Sequence, residues 1–310
     1  MTTNNLQATL IGSIAILLWS TLALFTTQAK LVPPMLLLTL TFGVASLLFL
    51  LVYFVKNELK TSWQQTPKSA IFMGGLGFYF YHFFYFYAFQ HAPPVEAGLI
   101  AYLWPLLIVL MAGMTKGNSL SWTHLVGAII AFAGTGIMLQ SKGQAINLDN
   151  TNFHWTGYAA AFSCALIWSS YSVANRRFQT VPSSAVLWYC LITTLLAGMS
   201  HLSLEDPHWS FPITTWMAIL GLGLGPVGVA FFCWDRGVKK GNLSLLGVLS
   251  YTAPALSTAW LGLFTDTQLT TTQIIACLLI TAGALFASLM PRLTLKNKKT
   301  PLASNETKGV

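Results

Sequence analysis

Charge is scarce in this chain. Only 8% of its 310 residues are charged, where a soluble domain carries about 25%. A soluble chain this long would lack the polar cover its surface needs, whereas in a bilayer lipid replaces water around it. The formal net charge of +8 could suggest a nucleic-acid partner. The basic residues, however, sit between apolar runs and at the C-terminus, as orientation signals of a membrane protein do, and no nucleic acid is expected. Cysteine is also sparse. Cys164, Cys190, Cys233 and Cys277 each stand alone in an apolar stretch, with no CxxC and no Cys/His pair at metal-ligand spacing. This pattern excludes a disulfide framework and gives no metal ligands. The opening MTTNNLQAT has no Lys or Arg and no small-residue cleavage site follows, which argues against a cleaved signal peptide. There is no HExxH, no GxSxG and no aspartate pair inside an apolar run, so no catalytic residues and no cofactor are expected.

Long hydrophobic runs fill the rest; 55% of the residues are hydrophobic. A helix needs roughly 20 apolar residues to cross the hydrocarbon. Runs of that kind cover 7–29, 34–55, 69–90, 95–114, 121–140, 155–175, 182–203, 213–234, 243–264 and 272–290. The longest connection is 141–154, and the basic tail after Arg292 has the composition of a disordered segment. With the N-terminus inside, Lys56, Lys60, Lys68, Lys116, Arg176, Arg177, Arg236, Lys239, Lys240 and the tail's Arg292, Lys296, Lys298, Lys299 and Lys308 fall on one side. Only Lys30 and Lys142 fall on the other. This asymmetry places both termini in the cytoplasm.

The chain repeats itself at an offset of 149 residues. LLWST around Trp19 returns as LIWSS around Trp168, and Tyr102 and Pro105 of AYLWPLL return as Tyr251 and Pro254 of SYTAPAL. Gly98 and Gly247, Gly113 and Gly262, and the pairs Ala133-Gly134 and Ala282-Gly283 keep the same offset. Each half holds five spans. Because five is odd, the second half enters the membrane from the opposite side. Inverted repeats of this type characterise secondary transporters, in which substrate binds between the halves and rocking alternates access.

No Asp, Glu, Lys or Arg lies deep within an expected span. Glu96 and Asp235 fall at span ends, where solvation of a helix terminus accounts for them. Without intramembrane charge, cargo such as phosphorylated sugars or nucleotides is disfavoured. Aromatic residues are dense instead. Span three reads GFYFYHFFYFYAF, with Tyr79, His82 and Phe86 on one face and Tyr81 and Tyr85 beside it. Trp19, Trp104 and Trp168 lie mid-span, unlike Trp63, Trp122 and Trp155 at the expected interfaces. Two readings stand for these mid-span rings: helix packing, or a cavity suited to a ring, an apolar side chain or an organic cation. His82 reads as a bonded core histidine or as a substrate contact. Ser20, Thr21, Ser169, Ser170, Tyr102 and Tyr251 could add polar contacts. Glycines 74, 75, 77, 127, 134, 136 and 283 allow close helix approach. Pro105, Pro226 and Pro254 lie inside spans, and Pro105 and Pro254 form an equivalent pair of kinks.

LIGSIAILLWST (10–21), EAGLIAYLWPLL (96–107), ALIWSSYSVANRR (165–177) and GNLSLLGVLSYTAPALS (241–257) resemble the drug/metabolite transporter superfamily. The branch is the one with two EamA-type repeats, and within it the bacterial exporters of aromatic amino acids. The resemblance implies an all-α polytopic membrane protein with ten transmembrane helices in two inverted five-helix repeats. It implies a first repeat over 1–140, a linker over 141–154, a second repeat over 155–291 and a cytoplasmic tail over 292–310. Trp19, Trp104 and Trp168 would line an aromatic central cavity. The candidate substrate-binding set is Trp19, Ser20, Tyr81, His82, Tyr85, Tyr102, Trp104, Trp168, Tyr171 and Tyr251. The implied function is export of aromatic or neutral amino acids across the bacterial inner membrane by alternating access. Efflux of aromatic or cationic compounds is the alternative; a membrane-embedded enzyme and a structural protein are distant ones. The expected partners are a small-molecule substrate and the lipid bilayer, and the expected state is a monomer or weak dimer.

Overall fold

The computed structural model describes residues 3–115, 122–140, 154–206, 209–264 and 270–298. The described residues are 87% helical, and there is no strand among them. In chain order the α-helices are α1 (Thr3–Ser20), α2 (Leu22–Gln28), α3 (Pro34–Val55), α4 (Leu59–Gln65), α5 (Lys68–His91), α6 (Pro94–Ala101), α7 (Trp104–Gly113) and α8 (Trp122–Gln140). The second half holds α9 (Trp155–Ala174), α10 (Val186–Leu204), α11 (Ile213–Leu222), α12 (Ala230–Lys240), α13 (Leu243–Ser250), α14 (Thr252–Phe264) and α15 (Thr271–Lys298). A π-helical turn, Gly223–Val229, joins α11 to α12.

Among the described residues, five helical stretches are long and apolar enough to cross a membrane: Thr3–Gln28, Pro34–Val55, Glu96–Gly113, Ser183–Leu204 and Ile213–Lys240. Trp122–Ile137, Leu243–Ser257 and Thr271–Ala287 are shorter apolar helices. The stretch Ile213–Lys240 extends the expected eighth span by six residues, which places Asp235 and Lys239 inside it. The last helix continues to Lys298 where the sequence suggested a disordered tail, since residues 292–298 contain no glycine or proline to stop it. The remaining tail, 299–310, and most of the 141–154 connection lie outside the described residues.

The breaks follow the prolines. A proline's ring collides with the carbonyl four residues earlier and its nitrogen has no proton to donate. Pro105, Pro226 and Pro254 stand four residues after Ala101, Leu222 and Ser250, where α6, α11 and α13 end. Each proline then lies in the first turn of the next helix or in the π turn. The break between α1 and α2 at Thr21 has no proline. Its backbone tightens instead, with Thr21 N bonded to Leu18 O and Leu24 N to Thr21 O, both at 3.1 Å.

Helix pairing reproduces the repeat. α8 packs on α15 and α3 on α10, each joining equivalent elements of the two halves, and α7 packs on α13, the first part of the span equivalent to α6–α7. α1 packs on α12 as α9 packs on α5, so exchanging the halves maps one contact onto the other. The α8–α15 pair is antiparallel: Gly127 lies beside Gly283 and Ala287, and Gly134 beside Leu279 and Ile280. Close approach at this pair requires glycine. A Cβ on Gly127 would stand 2.6 Å from the Gly283 carbonyl oxygen, and one on Gly283 would stand 2.6 Å from the Gly127 oxygen. Leu47, Leu51, Phe54, Val55 and Phe72 are exposed on the bundle's outer surface, where lipid solvates them.

The bundle has two chemically different ends. One gathers the basic segments. There Asn5 Nδ2 donates to Lys240 O (3.2 Å), Trp188 Nε1 to Ser62 Oγ (3.1 Å) and Lys239 Nζ to Val181 O (3.2 Å). At the opposite end the Glu205 carboxylate, at the foot of α10, accepts from Met35 N (2.7 Å) and Leu36 N (3.0 Å) in the first turn of α3. It thereby satisfies orphan donors of a helix in the other half.

Gly127→Ala should lower stability by about 1–3 kcal/mol, because the obstructing atom is a backbone oxygen that cannot move aside. Gly136→Ala meets only the Leu99 side chain, at 3.6 Å, and should be neutral or stabilising. Thermal unfolding of the detergent-purified variants checks both.

Candidate functional site

Four indoles meet where α1, α7, α9 and α12 converge. Trp19 lies 6.3 Å from Trp104, 5.8 Å from Trp168 and 5.1 Å from Trp234, ring centre to ring centre. Trp104 lies 6.4 Å from Trp168 and 5.7 Å from Trp234, and Trp168 lies 6.1 Å from Trp234. Most of these pairs are edge-to-face or tilted, geometries in which a ring's positive edge meets its neighbour's negative face. A second layer surrounds them. Phe231 contacts Trp19 (5.8 Å), Trp168 (5.6 Å) and Phe78 (4.4 Å), and Tyr81 and Tyr171 contact Trp168 at 5.2 and 5.3 Å.

Irregular backbone is concentrated at this seam, and its polar groups find partners there. Trp19 donates its indole N–H to the Pro226 carbonyl in the π turn (3.0 Å). The Ser169 hydroxyl faces both Trp104 O (2.9 Å) and Ala165 O (2.6 Å). The Tyr251 hydroxyl, at the α13–α14 break, accepts from Leu106 N (3.1 Å), an orphan donor of the first turn after the α6–α7 break. The Tyr102 hydroxyl, its repeat equivalent, makes no such bond among the described residues.

The structure therefore sorts the expected site residues. Trp19, Trp104, Trp168, Tyr81, His82 and Tyr171 belong to one aromatic assembly. Tyr85 stacks with Tyr81 (6.2 Å), and the Tyr81, Tyr85 and Tyr102 hydroxyls lie within electrostatic reach of one another. His82 donates from Nδ1 to Phe78 O (2.7 Å) and packs against Phe42 (5.2 Å). Ser20 is buried, with its hydroxyl placed between Leu17 O (2.6 Å) and the indole N–H of Trp260 (2.8 Å). Tyr251 packs in a separate cluster with Val109, Ala128 and Ile280. Trp63, Trp122 and Trp155 are exposed at or near helix ends.

Two parts of the site escaped the sequence reading. Trp234 and Phe231 are central to the assembly. They are the repeat equivalents of Tyr85 and His82, so applying the 149-residue offset to the span-three aromatic run locates them. The second part corrects an expectation. Asp235 is not solvated at a helix end but fully buried inside α12, with its Oδ2 2.9 Å from Lys239 Nζ and its Oδ1 accepting from Asn175 Nδ2 (2.8 Å). The α12 helix continues six residues beyond the expected span end, so an i, i+4 ion pair forms inside the packed bundle.

The chemistry on offer is mixed. Ring faces can take an aromatic side chain or an ammonium group. Among the described residues no acceptor faces the indole N–H of Trp104 or Trp168, and no partner bonds the hydroxyls of Tyr81, Tyr85 and Tyr102. These are donors of the kind that would hold a carboxylate. A groove of about 290 Å³ bounded by Phe83, Phe84, Tyr87, Trp155, Ala159 and Ser163 runs along α5 and α9.

A helical bundle whose halves exchange under a two-fold relation, with broken helices meeting at an aromatic seam, has the architecture of a secondary transporter. The chain belongs to the EamA-like transporter family, which matches residues 6–140 and 155–289. It is 44% identical over 288 residues to a protein of Ancylobacter novellus named Aromatic amino acid exporter YddG, covering 92% of this chain and 98% of that one. It is 26% identical to the Escherichia coli protein of the same name, again over 92% and 98%. The E. coli Biotin transporter is 25% identical over 170 residues, about half of each chain. A crystal structure of a chain 44% identical in sequence superimposes with a TM-score of 0.84, covering 92% of this chain and 99% of that one.

Tyr251→Phe leaves the Leu106 N–H without its acceptor and should cost about 1–3 kcal/mol. Tyr102→Phe removes a hydroxyl with no partner and should cost less than half as much. Thermal melts of the two variants side by side check the difference.

Proposed function

We propose that this protein exports aromatic amino acids, and that substrate passes along the seam lined by Trp19, Trp104 and Trp168. The observation that carries this reading is the coexistence, at the junction of the two halves, of crowded ring faces with unpartnered indole and phenol donors. Such a site suits a molecule with an aromatic side chain at one end and a zwitterionic head at the other. The names of the relatives sharing 44% and 26% identity point to the same cargo. The chain would sit in the bacterial inner membrane as two five-helix halves, 1–140 and 155–291. The basic end and both termini would face the cytoplasm, as the distribution of Lys and Arg favours. Transport, rather than catalysis, fits a seam without a nucleophile–base pair. The protein would act as a monomer or weak dimer, moving substrate down its outward gradient.

A second reading, efflux of aromatic cations, draws on the same ring faces through cation–π attraction. Counterflow in proteoliposomes separates the two. Radiolabelled phenylalanine, tyrosine or tryptophan should accumulate against excess unlabelled amino acid, and aromatic quaternary ammonium compounds should not compete. Strong competition by the cations with no amino-acid counterflow would favour efflux. Trp19→Ala, Trp104→Ala and Trp168→Ala should each lower counterflow at least about tenfold, the loss of roughly one ring's contact energy. Wild-type flux in all three would remove the seam from the pathway.

A further inference from the structure

Asp235 and Lys239 are 0% and 2% exposed, in a stretch otherwise apolar enough to span a bilayer. Ionised groups in such a setting are costly and are kept only when paired. These two face each other at 2.9 Å and also reach outside their own helix. Asp235 accepts from Asn175, at the foot of α9, and Lys239 donates to Val181 O, in the connection between α9 and α10. Asn175 Nδ2 also faces the Tyr171 hydroxyl at 3.4 Å, and Trp234 donates to Ser172 of α9 at 3.1 Å. The charged pair thus ties α12 to α9 and to the start of α10, at the basic end of the aromatic seam.

The two halves differ at this point. The repeat equivalents of Asp235, Lys239, Asn175 and Val181 are Phe86, Gln90, Thr26 and Val32, with no charge among them. Burial follows the same division. Toward the basic end Trp234, Asp235, Gly237, Val238, Leu243 and Leu246 are buried, while toward the opposite end Tyr81, Tyr85, Tyr102, Thr252 and Ala253 are only half-buried.

We propose that Asp235, Lys239 and Asn175 form a latch that holds the basic end of the seam shut. They are positioning residues for the transport step, a reading that rests on the transport function above. Opening this end separates α12 from α9 and parts Asn175 from Asp235 and Lys239 from Val181. The equivalent positions are uncharged, and the ties of the opposite end, Glu96 accepting from Tyr158 and Glu205 from Met35 N and Leu36 N, include no fully buried Asp–Lys pair; the resting equilibrium therefore favours the state closed at the basic end.

Two native cysteines report on the two ends. Buried Cys190 lies near Tyr171, at the latch, and buried Cys164 lies near Tyr81 and Tyr85, toward the other end. The test compares alkylation rates of both cysteines by a water-soluble maleimide, with the full chain in lipid nanodiscs and the sites resolved by mass spectrometry. Two variants are used. Asn175→Leu removes the tie to α9. The double variant Asp235→Leu/Lys239→Met removes both charges together, leaving no unpaired ion to unfold the bundle. In each, Cys190 labelling should rise about tenfold and Cys164 labelling should fall, the population shift expected from losing one hydrogen bond to a charged group. Unchanged rates in both variants, or faster labelling of both cysteines together as in general loosening, would overturn the latch. Counterflow by the wild-type protein, measured separately, shows whether a failure lies with the latch or with the transport function.

Discussion

Hydrocarbon offers no hydrogen bonds to a protein backbone, so a chain crossing it must bond every amide internally or bury the exceptions against other protein groups. The shape of this bundle depends on that constraint. Three prolines end helices four residues upstream of themselves, and each break frees backbone groups that lipid could not satisfy. The α6–α7 break is met by the Tyr251 hydroxyl, and the π turn around Pro226 offers its carbonyl to Trp19. Breaks are therefore favoured where the two halves meet. The irregular backbone and the aromatic assembly share one location for that reason.

Around this seam the bundle divides into tight and adaptable contacts. The α8–α15 pair brings glycine backbones against each other, and Gly12 and Gly237 do the same between α1 and α12. Packing of this kind has one arrangement and gives little. The aromatic layer differs. Trp19, Tyr81 and Tyr85 are half-buried and hold their places largely through ring contacts, which tolerate several tilts at similar energy. A rigid periphery with an adaptable, polar-fringed centre suits a binding site that must open alternately to two sides. The ion pair of α12 is built into one half only, so the two ends of the seam are held by different groups.

Much of this was legible in the sequence, because membrane solvation acts on simple quantities. Runs of apolar residues mark the helices, Lys and Arg gather at one end, and a constant offset relates Trp19 to Trp168 and Pro105 to Pro254. The helix ends at Ala101, Leu222 and Ser250 fall where proline stereochemistry favours them, although α15 runs on through Pro291. What escaped shows the limits of local reading. Asp235 looked like a helix terminus because Arg236, Lys239 and Lys240 follow it closely; burial of Lys239 depends on packing against α9 and Val181, which no local pattern encodes. Ser20 and Tyr251 looked like substrate contacts because a hydroxyl in an apolar run needs a partner, but sequence could not reveal that Trp260 and Leu106 already fill that need. Trp234 was within reach through the repeat. It was missed because its counterpart, Tyr85, is a different aromatic residue, so the equivalence did not register as identity.

In alternating access the two halves exchange roles, one end of the seam closing as the other opens. Spin labels can follow both ends at once. Lys30 and His91 are exposed at the end opposite the basic one, and their repeat equivalents Gln179 and Lys240 are exposed at the basic end. With the native cysteines replaced, cysteine pairs at 30/91 and at 179/240 can be labelled and their distance distributions measured by pulsed electron paramagnetic resonance, with and without tryptophan. Two populations are expected in each pair, with the share of the longer distance rising in one as it falls in the other. Distances that stay fixed, or that lengthen together at both ends, would contradict this exchange of roles.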